Sequence, residues 1–449
     1  NPVGQGGGRK GLPRSFVNRF TQVYMDELVR NDLQVICDNM YDCHPSIHNV
    51  LEFNWRMHQL TMAQRVFGHS GSPWEFNLRD VARFMDLALT PSALEAGARP
   101  IDEYVEMLYV HRMRTAQDRA HVLTLYRDVF GRSLSPTPPS LHITEAVLQV
   151  GAAVLPRRAE SARSLRLRVV HWQLSYLESL MRCVEMRWMA ILVGPAGAGK
   201  TSLVRWLANA TGNTLIEFAM NSGVDTSDIL GGFEQVDAQR HRSALLRRAE
   251  QLVQAAIFAC DYQTTDAARV SQLSALYQDA RRCVAASELC AIVEQIVAPF
   301  DGTSSSSSGD LAVVGRLADL LREELDAFTR LEVAGKFEWV DGVLVDALVN
   351  GHWLLIDRAN LCSASVLDRL NGLLEPNGVL YVNEDPKRVE PIVPHADFRI
   401  FMAVDPQHGE LSRAMRNRGI EICVLPPSAP VLAVMGDDQR LVAEAAGLP

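Results

Sequence analysis

Gly194, Pro195, Ala196, Gly197, Ala198, Gly199, Lys200 and Thr201 fit the pattern G-x-x-x-x-G-K-[ST], with Ser202 next in line. Glycines at such spacing let the backbone curl until successive N–H groups face phosphate oxygens, and a helix opening at the lysine adds its positive end. In that pattern Lys200 reaches the β- and γ-phosphates and Thr201 ligates Mg²⁺. The run His352-Trp353-Leu354-Leu355-Ile356-Asp357 supplies the complement, an apolar strand ending in a carboxylate that holds Mg²⁺ through its water shell. ATP and Mg²⁺ are the expected cofactors, with Gly194 to Ser202 as the cradle and Thr201 and Asp357 at the metal.

The residue after Asp357 is Arg358, where many hydrolysing ATPases carry a glutamate that polarises the attacking water. General-base assistance contributes roughly 10²–10⁴ in rate, so its loss predicts binding with weak or no turnover. Glu375 and Asp368 are the acids that could substitute, although the stretch 360–374 reads as helical, which could point them elsewhere. Asp228-Ile229-Leu230-Gly231 mimics a GTPase D-x-x-G, but no N-K-x-D follows and the lysines are Lys10, Lys200, Lys336 and Lys387. A GTPase is disfavoured.

These residues need strands to carry them. From residue 186 short apolar runs alternate with helical stretches: 189–193, 214–218, 353–357 and 399–404. That alternation predicts an α/β fold with a parallel sheet, helices on both faces and ligands at the carboxyl ends of the strands. The first half reads as helical over 21–40, 48–67, 78–89, 101–130 and 165–185, with a boundary at the prolines of 136–139. The distance from Lys200 to Asp357 exceeds ordinary connections. Residues 240–330 fill it with Ala-, Arg- and Glu-rich helical sequence, an inserted arm whose serine run at 304–308 reads as a disordered loop tip.

At 449 residues, 47% hydrophobic and 22% charged, the chain has the composition of roughly three soluble domains. No apolar run approaches the ~20 residues of a membrane span and the start is not a signal peptide, so an intracellular chain is expected. Eight cysteines without C-x-x-C pairs argue against zinc and a disulfide framework. A net charge of −9 does not suggest a general nucleic-acid binder. The arginines at 157, 158, 163, 166 and 168 read as a solvated helix face, with a contact to RNA or a neighbouring subunit as the alternative.

A repeat joins the two ends: Leu12-Pro13-Arg14-Ser15-Phe16-Val17-Asn18-Arg19 against Leu411-Ser412-Arg413-Ala414-Met415-Arg416-Asn417-Arg418, each preceded by Asn1-Pro2 or Asp405-Pro406. With Gly7 to Phe16, Trp74 to Asp80, Met220 to Asp237, Asp357 to Cys362 and Leu374 to Gly378, these segments resemble the midasins, dynein-related giant AAA+ proteins of large-ribosomal-subunit assembly.

The resemblance implies an AAA+ P-loop fold and six tandem modules closing into a ring within one polypeptide. It divides this chain into the end of one large subdomain (1–22), a helical small subdomain (23–135), most of the next large subdomain (140–425, with insert 240–330) and a linker (426–449), placed at the third and fourth modules. It implies that Asn1 is a sensor 1 residue with Asp405 as its counterpart, that Arg19 and Arg418 are arginine fingers and that Arg79 is a sensor 2 arginine. Lys200, Thr201 and Asp357 would then need a sensor 2 arginine and a finger encoded after Pro449, while Arg79 and Arg418 would serve a loop encoded before Asn1. The implied partners are neighbouring AAA+ modules and pre-60S ribosomal particles with their assembly factors, in the nucleus (nucleolus and nucleoplasm). No membrane and no sequence-specific nucleic acid are implied. Two readings stay open: a remodelling ATPase whose module here binds ATP with little hydrolysis, and a structural module stiffened by nucleotide.

Overall fold

A computed structural model describes residues 13–21, 23, 28–89, 103–134, 139–158, 169–235, 238–259, 264–283, 286–300, 309–334 and 337–425. Asn1, the glycine-rich start, three arginines of the basic run (163, 166 and 168), the serine run and the 426–449 segment lie outside these residues. The chain divides into two compact units, Asn1–Gly231 with Asp341–Pro449, and Gly232–Val340.

The first unit begins with helices. Leu78–Ala88 shows why: Asn77 Oδ1 accepts from Arg79 N at 2.9 Å while Asp80 Oδ2 accepts from Asn77 N at 3.1 Å, a reciprocal cap that satisfies two donors of the first turn. Val81, Phe84, Met85 and Leu87 then bury one face. Arg30–Met40, Ile47–His58 and Ala116–Phe130 pack alongside, the last capped by Thr115 and ended by Gly131 in the left-handed conformation.

The helix expected over 101–130 is two pieces. Glu103–Val105 widens into a π-turn, Glu106–Val110, and the chain restarts at Ala116. Between them Arg112 and Arg114 turn inward to acids, a tertiary demand that helical periodicity does not reveal. Likewise the 48–67 stretch stops being α-helical at His58.

Three strands missed by the sequence reading follow: β1 (Leu141–Ile143), β2 (Val147–Val150) and β3 (Ala153–Pro156), an antiparallel sheet. They are only three or four residues long, too short for period-two alternation to register. Arg157 and Arg158 leave β3 rather than forming a helix face: Arg157 Nε donates to Ala210 O at 2.7 Å, and Arg158 pairs with Asp397 at 2.6 Å.

The central sheet is built from β4 (Met189–Val193), β5 (Leu215–Ala219), β8 (Trp353–Asp357), β9 (Arg399–Val404) and β10 (Gly419–Cys423), all parallel, in the order β10-β4-β9-β8-β5. The register sets Val193 beside both Val404 and Cys423, and Ala219 beside Asp357, so the strands' carboxyl ends share one edge. This is the α/β architecture expected, with β5 one residue later than read and β10 hidden inside the repeat segment. The continuous helix read over 360–374 is instead three short turns.

The helical layer is fastened to this sheet through Trp74. Guanidinium groups of Arg416, Arg112 and Arg114 lie 4.8, 5.5 and 5.8 Å from its ring. Glu421 of β10 accepts from Arg416 Nε at 2.6 Å, and Arg114 also pairs with Glu410. Burial pushes the Glu421 carboxyl up, but Arg416, Arg112 and Arg114 outweigh it and hold it below the usual carboxylate range.

In the second unit β6 (Gly231–Gln235) pairs with β7 (Phe337–Asp341), and these strands bracket four helices, Ala238–Ala259, Thr264–Arg282, Ala286–Val297 and Gly309–Ala334. Leu245, Leu252, Leu289, Val293, Ile296 and Leu321 belong to a core of its own. At its base Phe233 and Trp339 meet edge to face at 5.4 Å, and His241 pairs with Glu338 at 2.6 Å.

Candidate functional site

Two clusters of the expected residues form, at opposite edges of the parallel sheet. The first is the glycine-rich loop between β4 and the helix Lys200–Thr211. Gly199 closes the loop at φ +86, a conformation that favours glycine, and a Cβ there would sit 2.8 Å from Gln173 Nε2, so the Gln173 amide would also have to shift. Ala198 N donates to Pro195 O at 3.2 Å and tightens the turn. The first-turn N–H groups of the helix have no helical acceptors and form an anion-binding end.

Lys200 Nζ donates to the loop's own carbonyls, Gly194 O at 2.7 Å and Pro195 O at 2.8 Å. Burial lowers the Lys200 pKa, opposed by the nearby charges of Asp405 and Asp357. The three side chains therefore share one electrostatic site, as the strand order requires: β9, which delivers Asp405, lies between β4 and β8. Thr201 follows in the first helical turn and Asp357 ends β8, both partly exposed. A cationic lysine on a loop of free donors, with two carboxylates beside it, is a donor set that fits a magnesium nucleotide.

Asp405 Oδ1 accepts from Gln407 N at 3.1 Å, which turns the chain as it leaves β9. Asn360, given no role from the sequence, joins the two strand ends: its Nδ2 donates to Asp405 O at 2.7 Å and Gly409 O at 2.8 Å. Between Asp357 and Asn360 sits Arg358, exposed, with φ +53, a conformation uncommon for a side-chain-bearing residue. Its N–H donates to Asp357 Oδ1 at 3.0 Å.

The second cluster gathers at the amino edge of the sheet. Arg79 NH2 donates to both Glu375 carboxylate oxygens at 3.0 Å, and Arg418 NH2 pairs with Oε1 of the same group at 2.8 Å. Arg83, one turn along from Arg79, donates to Arg418 O at 2.8 Å and Gly419 O at 3.2 Å. Asn417 Nδ2 donates to Glu75, tying the arginine's helix to the helical layer. Arg79, Arg83, Glu375 and Arg418 face a cavity of about 620 Å³ whose floor includes Trp188, Met189 and Ile400, the last two at the starts of β4 and β9. That volume suits a nucleotide-sized ligand or a protein segment.

This placement removes Glu375 as a substitute for the general base missing at Arg358, since it lies at the other end of the strands from Lys200 and is engaged by two arginines. Asp368 is exposed and accepts from Asn371 Nδ2 at 3.1 Å. Arg19 is exposed in the turn after Arg14–Val17, and among the described residues no hydrogen bond or ion pair joins it to either cluster. Asn1 lies outside the described residues.

Among the described residues no helix is long and apolar enough to cross a membrane, and no group of three or more His, Cys, Asp and Glu residues is arranged to hold a metal.

Comparison with known proteins adds to this geometry. Residues 32–133 match the family described as Midasin AAA lid domain, and residues 189–284 and 318–418 match the AAA domain of the dynein-related subfamily. Midasin of Dictyostelium discoideum is 37% identical across the whole chain, which corresponds to 9% of that protein. Midasin of Giardia intestinalis is 29% identical over 94% of the chain, 10% of that protein. The chain thus spans about a tenth of the length of the curated relatives it matches. A lid-like helical layer, a parallel sheet with a phosphate loop at its carboxyl edge, and sequence identity that runs the full length together establish that the chain belongs to the midasin family of AAA proteins.

Proposed function

We propose that this chain is a segment of a ring-forming ATPase and supplies parts of two neighbouring nucleotide sites. Gly194 to Ser202, with Lys200 and Thr201, cradle one triphosphate, while Asp357 and Thr201 hold its Mg²⁺. When bound, that ion would neutralise charge on the β- and γ-phosphates. Asp405 and Asn360 keep the strand ends in register around the loop. At the other edge Arg79 and Arg418 serve as sensor 2 and arginine finger toward a triphosphate whose phosphate loop belongs to another module. Guanidinium geometry suits both to that task. Arg19 and Asn1 hold the equivalent positions in the preceding repeat.

The observation that carries this reading is the convergence of Arg79 and Arg418 on a single carboxylate, at the opposite edge of the sheet from Lys200. Side chains from segments far apart in sequence present two cations to one anion, which is the arrangement a terminal phosphate needs.

Within the whole protein, turnover in the ring would drive release of assembly factors from pre-60S particles in the nucleus, with neighbouring AAA+ modules as the immediate partners. This module holds ATP and turns it over slowly, because Arg358 stands where a general base is needed. Changing Arg358→Glu in the full-length protein is expected to raise the ATPase rate at least about tenfold, within the range general-base catalysis contributes. No gain would favour a structural module whose constraint lies elsewhere, a reading that the left-handed backbone at Arg358 also favours because it aims the side chain differently from an ordinary strand-end residue.

A further inference from the structure

We propose that Glu375 is a stand-in for phosphate, a built-in counter-ion that holds Arg79 and Arg418 together and must be displaced by the terminal phosphate of a nucleoside triphosphate. This rests on the reading above that both arginines face a triphosphate, and it adds a regulator to that site.

Two guanidinium groups brought to one point repel unless an anion lies between them. Glu375 provides it, with Oε1 and Oε2 each 3.0 Å from Arg79 NH2 and Oε1 2.8 Å from Arg418 NH2. Its backbone is fixed to do so. Gly378 N donates to Glu375 O at 2.9 Å, and a Cβ on Gly378 would fall 2.3 Å from Leu373 O, so the turn closes only around glycine. Pro376 follows and restricts Glu375 further.

The carboxylate does not satisfy what it pairs with. Arg418 Nε is buried and has no partner among the described residues, a donor left over after Glu375 has accepted. The pair is also accessible: the side chains of Arg79 and Glu375 are 45% and 34% exposed. Ion pairs so placed contribute little, whereas a phosphate dianion offers three oxygens and twice the charge to the same donors. Glu375 therefore sets a threshold. A group with a single negative charge gains nothing by exchange, and a diphosphate that stops short of the arginines leaves the carboxylate in place.

An ordinary structural ion pair would give the opposite result on removal, because the arginines would lose their alignment and bind phosphate less well. The test is calorimetric titration of inorganic tripolyphosphate into the 449-residue chain carrying Lys200→Ala, which removes the glycine-loop site. Glu375→Gln is expected to tighten binding about tenfold, while Arg79→Ala and Arg418→Ala each weaken it by about tenfold or more. Glu375→Asp keeps the charge but shortens its reach, and it too should bind more tightly, by a smaller factor. It decides the matter if circular dichroism shows that the Gln variant is misfolded. Arginine variants that bind like their parent would overturn the reading of the cavity itself. Arginine variants that weaken, alongside a folded Glu375 variant that binds no tighter, would overturn only the stand-in.

Discussion

Lys200 and Asp357 could be identified from the sequence because each belongs to a pattern closed within a few residues. The glycine spacing fixes the loop and the apolar run fixes the strand end. Glu375 could not be assigned in that way. Its two arginines are contributed by a helix 296 positions upstream and a short helix beyond β9, and no local signal reports such a meeting. Arg358 lies between these cases, visible as the wrong residue type, while its left-handed backbone emerged only in the fold. Glu421 yields a pH prediction. Its carboxyl is held below the ordinary value of 4.5, so its stabilisation is present above that pH and fades as pH falls through the lower folded value. Glu421→Gln is expected to cost about 3–5 kcal/mol near neutrality, because it leaves buried arginines uncompensated. Melting curves of the two proteins should converge as pH falls through that lower folded value.

Among the elements, those that carry their own caps and periodicity were readable, and those that exist only by pairing were not. Leu78–Ala88 announced itself with Asn77 and Asp80, and β8 with four consecutive apolar residues ending in Asp357. The β1–β3 sheet, the β6–β7 pair and β10 are short or masked by neighbouring motifs, and each depends on a partner strand that sequence does not name. The helix Leu174–Glu185 buries Cys183, whose thiol burial pushes up to about 12, while Cys43 is exposed in a turn. Native alkylation with iodoacetamide should therefore modify Cys43 readily and Cys183 only after denaturation, as peptide mass mapping would show. At the loop, Gly199→Ala should cost more nucleotide affinity than Gly197→Ala. A Cβ at 199 meets Gln173, whereas at 197 nothing lies within 4 Å. Equal losses in a titration with ATP would mean that backbone strain alone matters.

For the molecule as a whole, the inserted unit has its own core and its own closing strands. Gly231 and Gly342, at its two ends, are close neighbours, with a Cβ on Gly342 falling 2.6 Å from Gly231 N. Replacing 232–340 with a two-residue linker is expected to leave ATP affinity at the Lys200 loop within about twofold, within the near-additive range of independent regions. Loss of binding would show that the insert shapes the loop. The helical layer behaves differently. It precedes the sheet in sequence but shares Trp74, three arginines and Glu421 with it. The sequence boundary at 136–139 therefore separates two names and not two bodies. Over evolutionary time such a joint ought to leave a trace. Trp74, Arg416 and Glu421 should be replaced together or kept together in diverging relatives, so that positions far apart in the chain drift as a single unit of inheritance.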